Sequence, residues 1–327
     1  MSADHFSINK NYSENIQLLR GIAIISVVFI HATPDGMTTV LIRPFLNFSV
    51  ELFLFLSGFL SRENSNRFKR VKKILLPFLI WTLIYVIMLN YKNLSAVPLE
   101  YLKNIITTKC APMLYFVYVY CELNLLIPLI EKLSKSKLYM LGFLISPIEI
   151  VCMRMLPLIL GYELNEFITL LMHVSCIGWF TFFYLGYLFG NKRIELNVSV
   201  YKLIAALFIF ILVQIIEGYW YFSLGEVDCG TQLKISAHLT AIIYVLLAYK
   251  FICSDNRMSM KSLKILGDKS FGIFFSHIAI MRVLGKLPYF KDIAIYPLNA
   301  VITILFCLVF VFIGGKLLGR FAACFAL

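Results

Sequence analysis

Long apolar stretches recur along this chain, and short polar loops separate them. A helix of about 20 apolar residues crosses a hydrocarbon core of about 30 Å. No water reaches the backbone there, so a spanning segment must satisfy its own N–H and C=O groups. Stretches of this length do so as helices. Ten fit the pattern, at about 16–35, 40–61, 74–90, 112–130, 138–158, 171–190, 200–217, 234–252, 268–285 and 296–317. Of the 327 residues, 60% are hydrophobic and only 15% charged, a balance that excludes an ordinary soluble domain. We expect an all-α polytopic membrane bundle of about ten transmembrane helices. It forms a single membrane domain over residues 1–327, with no additional soluble domain.

The charges are distributed by side. Of 30 Lys and Arg, 20 fall in alternate loops, chiefly 62–73, 131–137, 191–202 and 250–269, and in the two ends. Nine fall on the opposite side, and Arg20 is the remaining one. The positive-inside rule then puts both termini in the cytoplasm. The formal charge of +12 is accounted for by these loops and does not indicate nucleic acid. No small-residue cleavage site follows the first apolar run, so that span is expected to stay. Eight cysteines show no Cys-x-x-Cys and no zinc spacing, so no metal site is expected. Most lie in apolar spans and read as packing residues. Cys110 and Cys229 fall in loops placed outside, where a disulfide could form.

The first span carries two ionisable residues. Its uninterrupted apolar run, Gly21 to Ile30, is too short to cross, so the span takes in Arg20 and His31. An ionisable group inside a span costs about 2.5–3.5 kcal/mol and marks a functional position by default. Eleven residues separate the pair, about 16 Å of helix rise. Eleven steps of about 100° bring both side chains to one face. A snorkelling arginine and a histidine bonded to a neighbouring helix fit the same pattern.

Further polar groups interrupt later spans. Glu51 sits in Ser-Val-Glu-Leu-Phe-Leu-Phe-Leu-Ser-Gly-Phe; it is either neutral or paired, with His31 or Arg20 as the nearest candidates. Ser57 and Gly58 suit a close helix approach. Arg67, Lys69, Arg70 and Lys73 form a basic run that reads either as a topological anchor or as a clamp for phosphates. Glu122 and Glu149 read as structural partners within their spans. Ser270 and His277, seven residues apart, share a helix face.

Together these stretches resemble the acyltransferase 3 family. Leu-Arg-Gly-Ile-Ala-Ile-Ile-Ser-Val-Val-Phe-Ile-His resembles its first helix. The Glu51 stretch resembles its Val-Asp-Leu-Phe-Phe-Val-Leu-Ser-Gly-Phe, with Glu for Asp. Arg70 and Lys73 before Pro77 resemble its Arg-x-x-Arg pair, with Lys at the second place; this loses the bidentate fork. Tyr115 stands where the family has Trp. Phe-Tyr-Leu-Gly-Tyr at 183–187 is similar to its Phe-x-x-Gly-Tyr. Ser-Phe-Gly-Ile-Phe-Phe-Ser-His at 270–277 is similar to its Ser-Tyr-Gly-Ile-Tyr-Leu-x-His, with Phe at both Tyr places. The resemblance covers about residues 15 to 280.

The resemblance implies a multi-pass O-acyltransferase of the bacterial inner membrane, surrounded by membrane lipid. It implies cytoplasmic acetyl-coenzyme A as donor and a glycan or lipid-linked saccharide as acceptor. A sugar hydroxyl needs a base, and His31 is the first choice, with nucleophilic attack by the same imidazole as the other route. Glu51 would orient it, and Arg20 would bind donor or stabilise developing charge. Arg70 and Lys73, with Arg67 or Lys69, would hold the coenzyme phosphates. Ser57, Gly58, Tyr115, Ser270 and His277 would serve substrate or structure. Either this chain would complete the reaction alone, or it would work with a separate partner protein or a second copy of itself. The rival reading is a flippase or exporter of a lipid-linked saccharide, with the same charges forming a polar path. Transporters often contain two related halves, and no second copy of the Arg-to-His element is present. A sensor or scaffold would not need an ordered set of intramembrane ionisable groups.

Overall fold

Among the described residues, 79% are helical and none lie in strands. The computed structural model describes residues 10–61, 66–226, 228–254, 260–288, 290 and 295–327, with side chains from residue 13 onward. Arg62, Arg257, Lys291 and the Lys10 side chain, all counted in the charge asymmetry, lie outside the described residues.

Six helical stretches are long and apolar enough to cross a membrane: Ser13–Ala32, Met37–Phe59, Arg67–Leu89, Val200–Ser223, Ile235–Ile252 and Leu298–Phe325. Two bent pairs raise the number to eight if each counts as one span. These are Pro112–Leu125 with Ile127–Lys135, and Glu166–Val174 with Ile177–Gly190. Two of the ten expected spans fall outside this set. The stretch expected at 138–158 is a series of short pieces: a 3-10 turn at Tyr139–Phe143, helices at Ile145–Ile150 and Leu156–Leu160, and a π turn between them. Pro147 and Pro157 lack the N–H that an unbroken helix uses. The stretch expected at 268–285 is a helix of 15 residues, about 22 Å long, short of a full crossing.

The helices that build the centre are α1 (Lys10–Ala32), α2 (Met37–Ile42), α3 (Ser49–Phe59), α4 (Arg67–Leu89), α5 (Val97–Thr107) and α6 (Tyr115–Leu125). After α7 (Ile127–Lys135), α8 (Ile145–Ile150), α9 (Leu156–Leu160) and α10 (Glu166–Val174) come α11 (Phe180–Gly190) and α12 (Val200–Ser223). The chain continues through α13 (Ile235–Ile252), α14 (Lys261–Asp268), α15 (Ser270–Leu284) and α16 (Leu298–Leu318). A continuous apolar core runs through α1, α3, α4, α6, α11, α13, α15 and α16. The outer faces of α12 and α16 expose Phe208, Ile209, Leu212, Ile216, Leu305 and Phe312. Such apolar rows suit hydrocarbon rather than water.

Small residues set two close crossings. A Cβ on Gly58 would strike the Phe183 carbonyl, and one on Gly186 would strike the Phe55 carbonyl. α3 and α11 therefore touch backbone to backbone, as small residues permit in membranes. Gly21 on α1 meets the Leu263 carbonyl, and Gly267 on α14 meets the Gln17 carbonyl. That crossing carries the start of α15 to the side of Arg20.

Cys110 and Cys229 are both free, and so the outer disulfide is not formed. Cys110 belongs to the main core, with its amide bonded to Asn104 Oδ1, and burial pushes its thiol up to about 11. Cys229 belongs to a separate small cluster with Val40 and Tyr221, and its Sγ meets Thr39 Oγ1 at 3.3 Å.

Candidate active site

Arg20 and His31 lead into two cavities inside the bundle. The basic cavity, about 530 Å³, is lined by Arg20, Arg70, Lys73 and Lys269, with Ser57, Tyr120 and Asp268. The imidazole cavity, about 180 Å³, is lined by His31, Arg43, Asn47, Tyr115, His173 and Gln232. The single helix face read from the Arg-to-His spacing thus opens onto both.

His31 lies beside His277, with ring centroids 5.2 Å apart. His277 is fully buried, and its Nδ1 lies 2.7 Å from the Phe274 carbonyl and 3.1 Å from that of Ile273. A carbonyl only accepts, so Nδ1 carries the proton and Nε2 keeps a lone pair. That Nε2 is buried and has no hydrogen-bond partner. Tyr85 fixes this part of α15. Its hydroxyl donates to the Phe275 carbonyl at 2.7 Å and accepts from the Ala279 amide at 3.1 Å. Those two groups would otherwise bond to each other along the helix. The Tyr85 hydroxyl thus bridges the two groups one turn apart that flank His277.

The bond expected from Glu51 to His31 or Arg20 is not formed. Glu51 is 1% exposed, and its Oε2 has no hydrogen-bond partner. The reason is its helix face. Glu51 shares a stripe of α3 with Phe55 and Gly58, whose backbones meet α11, whereas Val50, Phe53 and Ser57 line the cavities. Its charge still reaches Tyr115 on the imidazole cavity wall. Glu122 does act structurally: its carboxylate accepts the Cys176 amide at 2.7 Å.

The basic run divides in two. Arg70 and Lys73 line the basic cavity. Arg70 also donates to the Leu60 carbonyl at 2.6 Å and to Ser61 Oγ, which ties α4 to the end of α3 and fixes the guanidinium. Arg67 and Lys69 do not line the cavity; the Arg67 guanidinium sits over the Phe68 ring, and Lys69 is exposed. Ser57 and Ser270 line the basic cavity, and Ser270 lines the other as well. Gly58 is used in helix packing.

The polar wall of the imidazole cavity comes from distant segments. Pro44 breaks the helix after α2 into a 3-10 turn, Arg43–Phe45. This break puts Arg43 and Asn47 at the cavity, and Asn47 holds the Gly230 carbonyl at 3.1 Å. Gln232 donates to the Tyr115 hydroxyl at 2.9 Å, which leaves its buried Oε1 without a partner. Arg43 Nε is likewise buried and unpartnered. His173 meets Thr108 Oγ1 at 3.3 Å and lies beside the Tyr115 ring. Arg43, His173, Gln232, Tyr120 and Lys269 were not singled out from the sequence as site residues. Their one signal was a polar side chain in or beside an apolar run.

No solved structure matches the chain. A curated protein of the Acidianus two-tailed virus, "Putative acetyltransferase ORF330", is 25% identical over 318 residues, covering 89% of this chain and 90% of that protein. The sequence profile of the acyltransferase 3 family, described as an acyltransferase domain, matches residues 13–315. With the ordered motifs and membrane helices above, this match over most of its length shows that the chain belongs to the acyltransferase 3 family.

Proposed function

We propose that the protein transfers an acetyl group from acetyl-coenzyme A to a hydroxyl of a bacterial cell-surface glycan or its lipid-linked precursor. One observation carries this reading. Arg20 and His31, on one helix, line a basic cavity and an imidazole cavity that share part of their walls. Arg20, Arg70, Lys73 and Lys269 suit the phosphates of the coenzyme, and the rigidly held Arg70 needs little further ordering. The unmet polar atoms of Gln232 and Arg43 suit a hydroxyl-rich acceptor. In this reading the chain is a multi-pass protein of the bacterial inner membrane, and its basic cavity opens to the cytoplasm. The charge asymmetry supports that orientation.

The chemistry follows from the imidazole pair. His31 takes the proton of the acceptor hydroxyl as its oxygen attacks the thioester carbonyl. The C–O ester bond forms, the C–S bond breaks, and the coenzyme leaves as a thiolate that takes up the proton from His31. His277 positions His31 by ring contact, without the charge that a carboxylate would supply.

The test uses membranes with wild type or His31→Ala at matched expression, radiolabelled acetyl-coenzyme A and the host glycan. Label in base-labile ester with wild type, and none with His31→Ala, is the expected result. Equal label from both removes His31 from the chemistry. No label from either, with failed glycan export in the variant, replaces this reading with a carrier.

A further inference from the structure

Four residues line both cavities: Phe53 on α3, Phe116 on α6, and Ser270 and Phe271 at the start of α15. They form the wall between the basic groups and His31. We propose that this wall selects the acyl group, passing a short uncharged one and rejecting longer or charged ones. The proposal rests on the acyl-transfer reading above and names the donor class within it.

The composition of the wall is the first argument. It holds three phenyl rings and one hydroxyl. The cations Arg20, Arg70, Lys73 and Lys269 line only the basic cavity, while His31, Arg43 and His173 line only the other. A terminal carboxylate, as in a succinyl group, would have to leave its water and cross the phenyl faces, which hold no cation, before it could reach Arg43 beyond them. Such desolvation is costly without a paired charge.

Rigidity is the second argument. Phe116 packs on Phe53 with ring centroids 6.3 Å apart, and on Phe274 at 5.4 Å. Phe274 in turn lies 6.3 Å from His277. Phe116 and Phe274 are 6% and 7% exposed, so the rings brace each other and reach the imidazole pair as one file. Close-packed rings do not swing aside without cost.

Space is the third. The cavity beyond the wall is about 180 Å³, and it must receive an acceptor hydroxyl as well as the acyl group. An acetyl group fits beside an acceptor there, and a longer chain competes for the same volume.

The experiment offers acetyl-, butyryl-, hexanoyl- and succinyl-coenzyme A to membranes containing the full chain as wild type, Phe271→Leu or Phe53→Leu. Transfer into base-labile ester is read for each donor. Wild type is expected to favour acetyl over butyryl and succinyl by at least about 10-fold, within the range a pocket achieves per added methylene. Each Leu variant is expected to raise the butyryl-to-acetyl ratio by at least about 5-fold, with succinyl still excluded. Equal use of acetyl and succinyl by wild type overturns the proposal. An unchanged butyryl-to-acetyl ratio in variants that still transfer acetyl also overturns it. The succinyl comparison needs no variant, so a variant that fails to fold leaves the test in force. No transfer by wild type from any donor sinks the acyl-transfer reading itself.

Discussion

The basic cavity and the imidazole cavity lie along one helix but are built differently. The first is wide, and its cations come from α1, from the start of α4 and from the turn before α15. The second is a third as large, with paired rings beside it and polar groups from several distant segments around it. Charges can hold a phosphate through several alternative contacts. A base must meet one proton at one place, within about 3 Å. The basic side should therefore tolerate change by degrees, and the imidazole side should not.

The largest effect should fall on the imidazole side. His31→Ala is expected to lower acyl transfer by about 10²–10⁴-fold, the usual contribution of a general base, with donor KM nearly unchanged. A large KM change with kcat intact would break the comparison. On the basic side, Arg20→Gln should raise donor KM by about 10- to 100-fold, as expected for loss of a charged hydrogen bond, and lower kcat little. Next, His277→Ala should lower kcat by about 10-fold or more and leave donor KM alone, because it touches the base and not the donor. A KM effect instead would place His277 against the donor.

Tyr85→Phe tests whether the hydroxyl bridge from α4 to α15 matters to the imidazole pair. Loss of one buried hydrogen-bonding group costs about 1 kcal/mol, so a several-fold drop in kcat is expected. The smallest effect belongs to Arg67→Ala and Lys69→Ala, neither of which lines the cavity. Donor KM should change by less than about 2-fold, since charges at the surface contribute little. A 10-fold rise would restore the whole basic run as the donor clamp.

Some of this was legible in the sequence because it depends on spacing alone. The rise and turn of a helix place Arg20 and His31 on one face whatever surrounds them. Hydropathy marks the helices in the same way. Neighbours are another matter. Glu51 was read as neutral or as paired with His31 or Arg20, yet it lies on the stripe of α3 whose Phe55 and Gly58 meet α11. His277 was seen as a second imidazole but not as the one beside His31. Arg43 and Lys269 were counted only as topological charge, and both line cavities. Pro147 and Pro157 were in view, yet 138–158 still read as one span.

What the sequence determined by itself is the class of solvent, the helical backbone that this solvent demands, the family motifs and the Arg-to-His face. Each follows from local composition or from helix periodicity. What only the tertiary structure decided is which groups share a cavity. That depends on the depth and rotation at which helices cross, set by the contacts of Gly58 with Phe183, Gly186 with Phe55, and Gly21 with Leu263. These crossings join residues more than a hundred positions apart. A rotation of α3 by one residue, about 100°, would turn Glu51 into the cavities and Phe53 away from them.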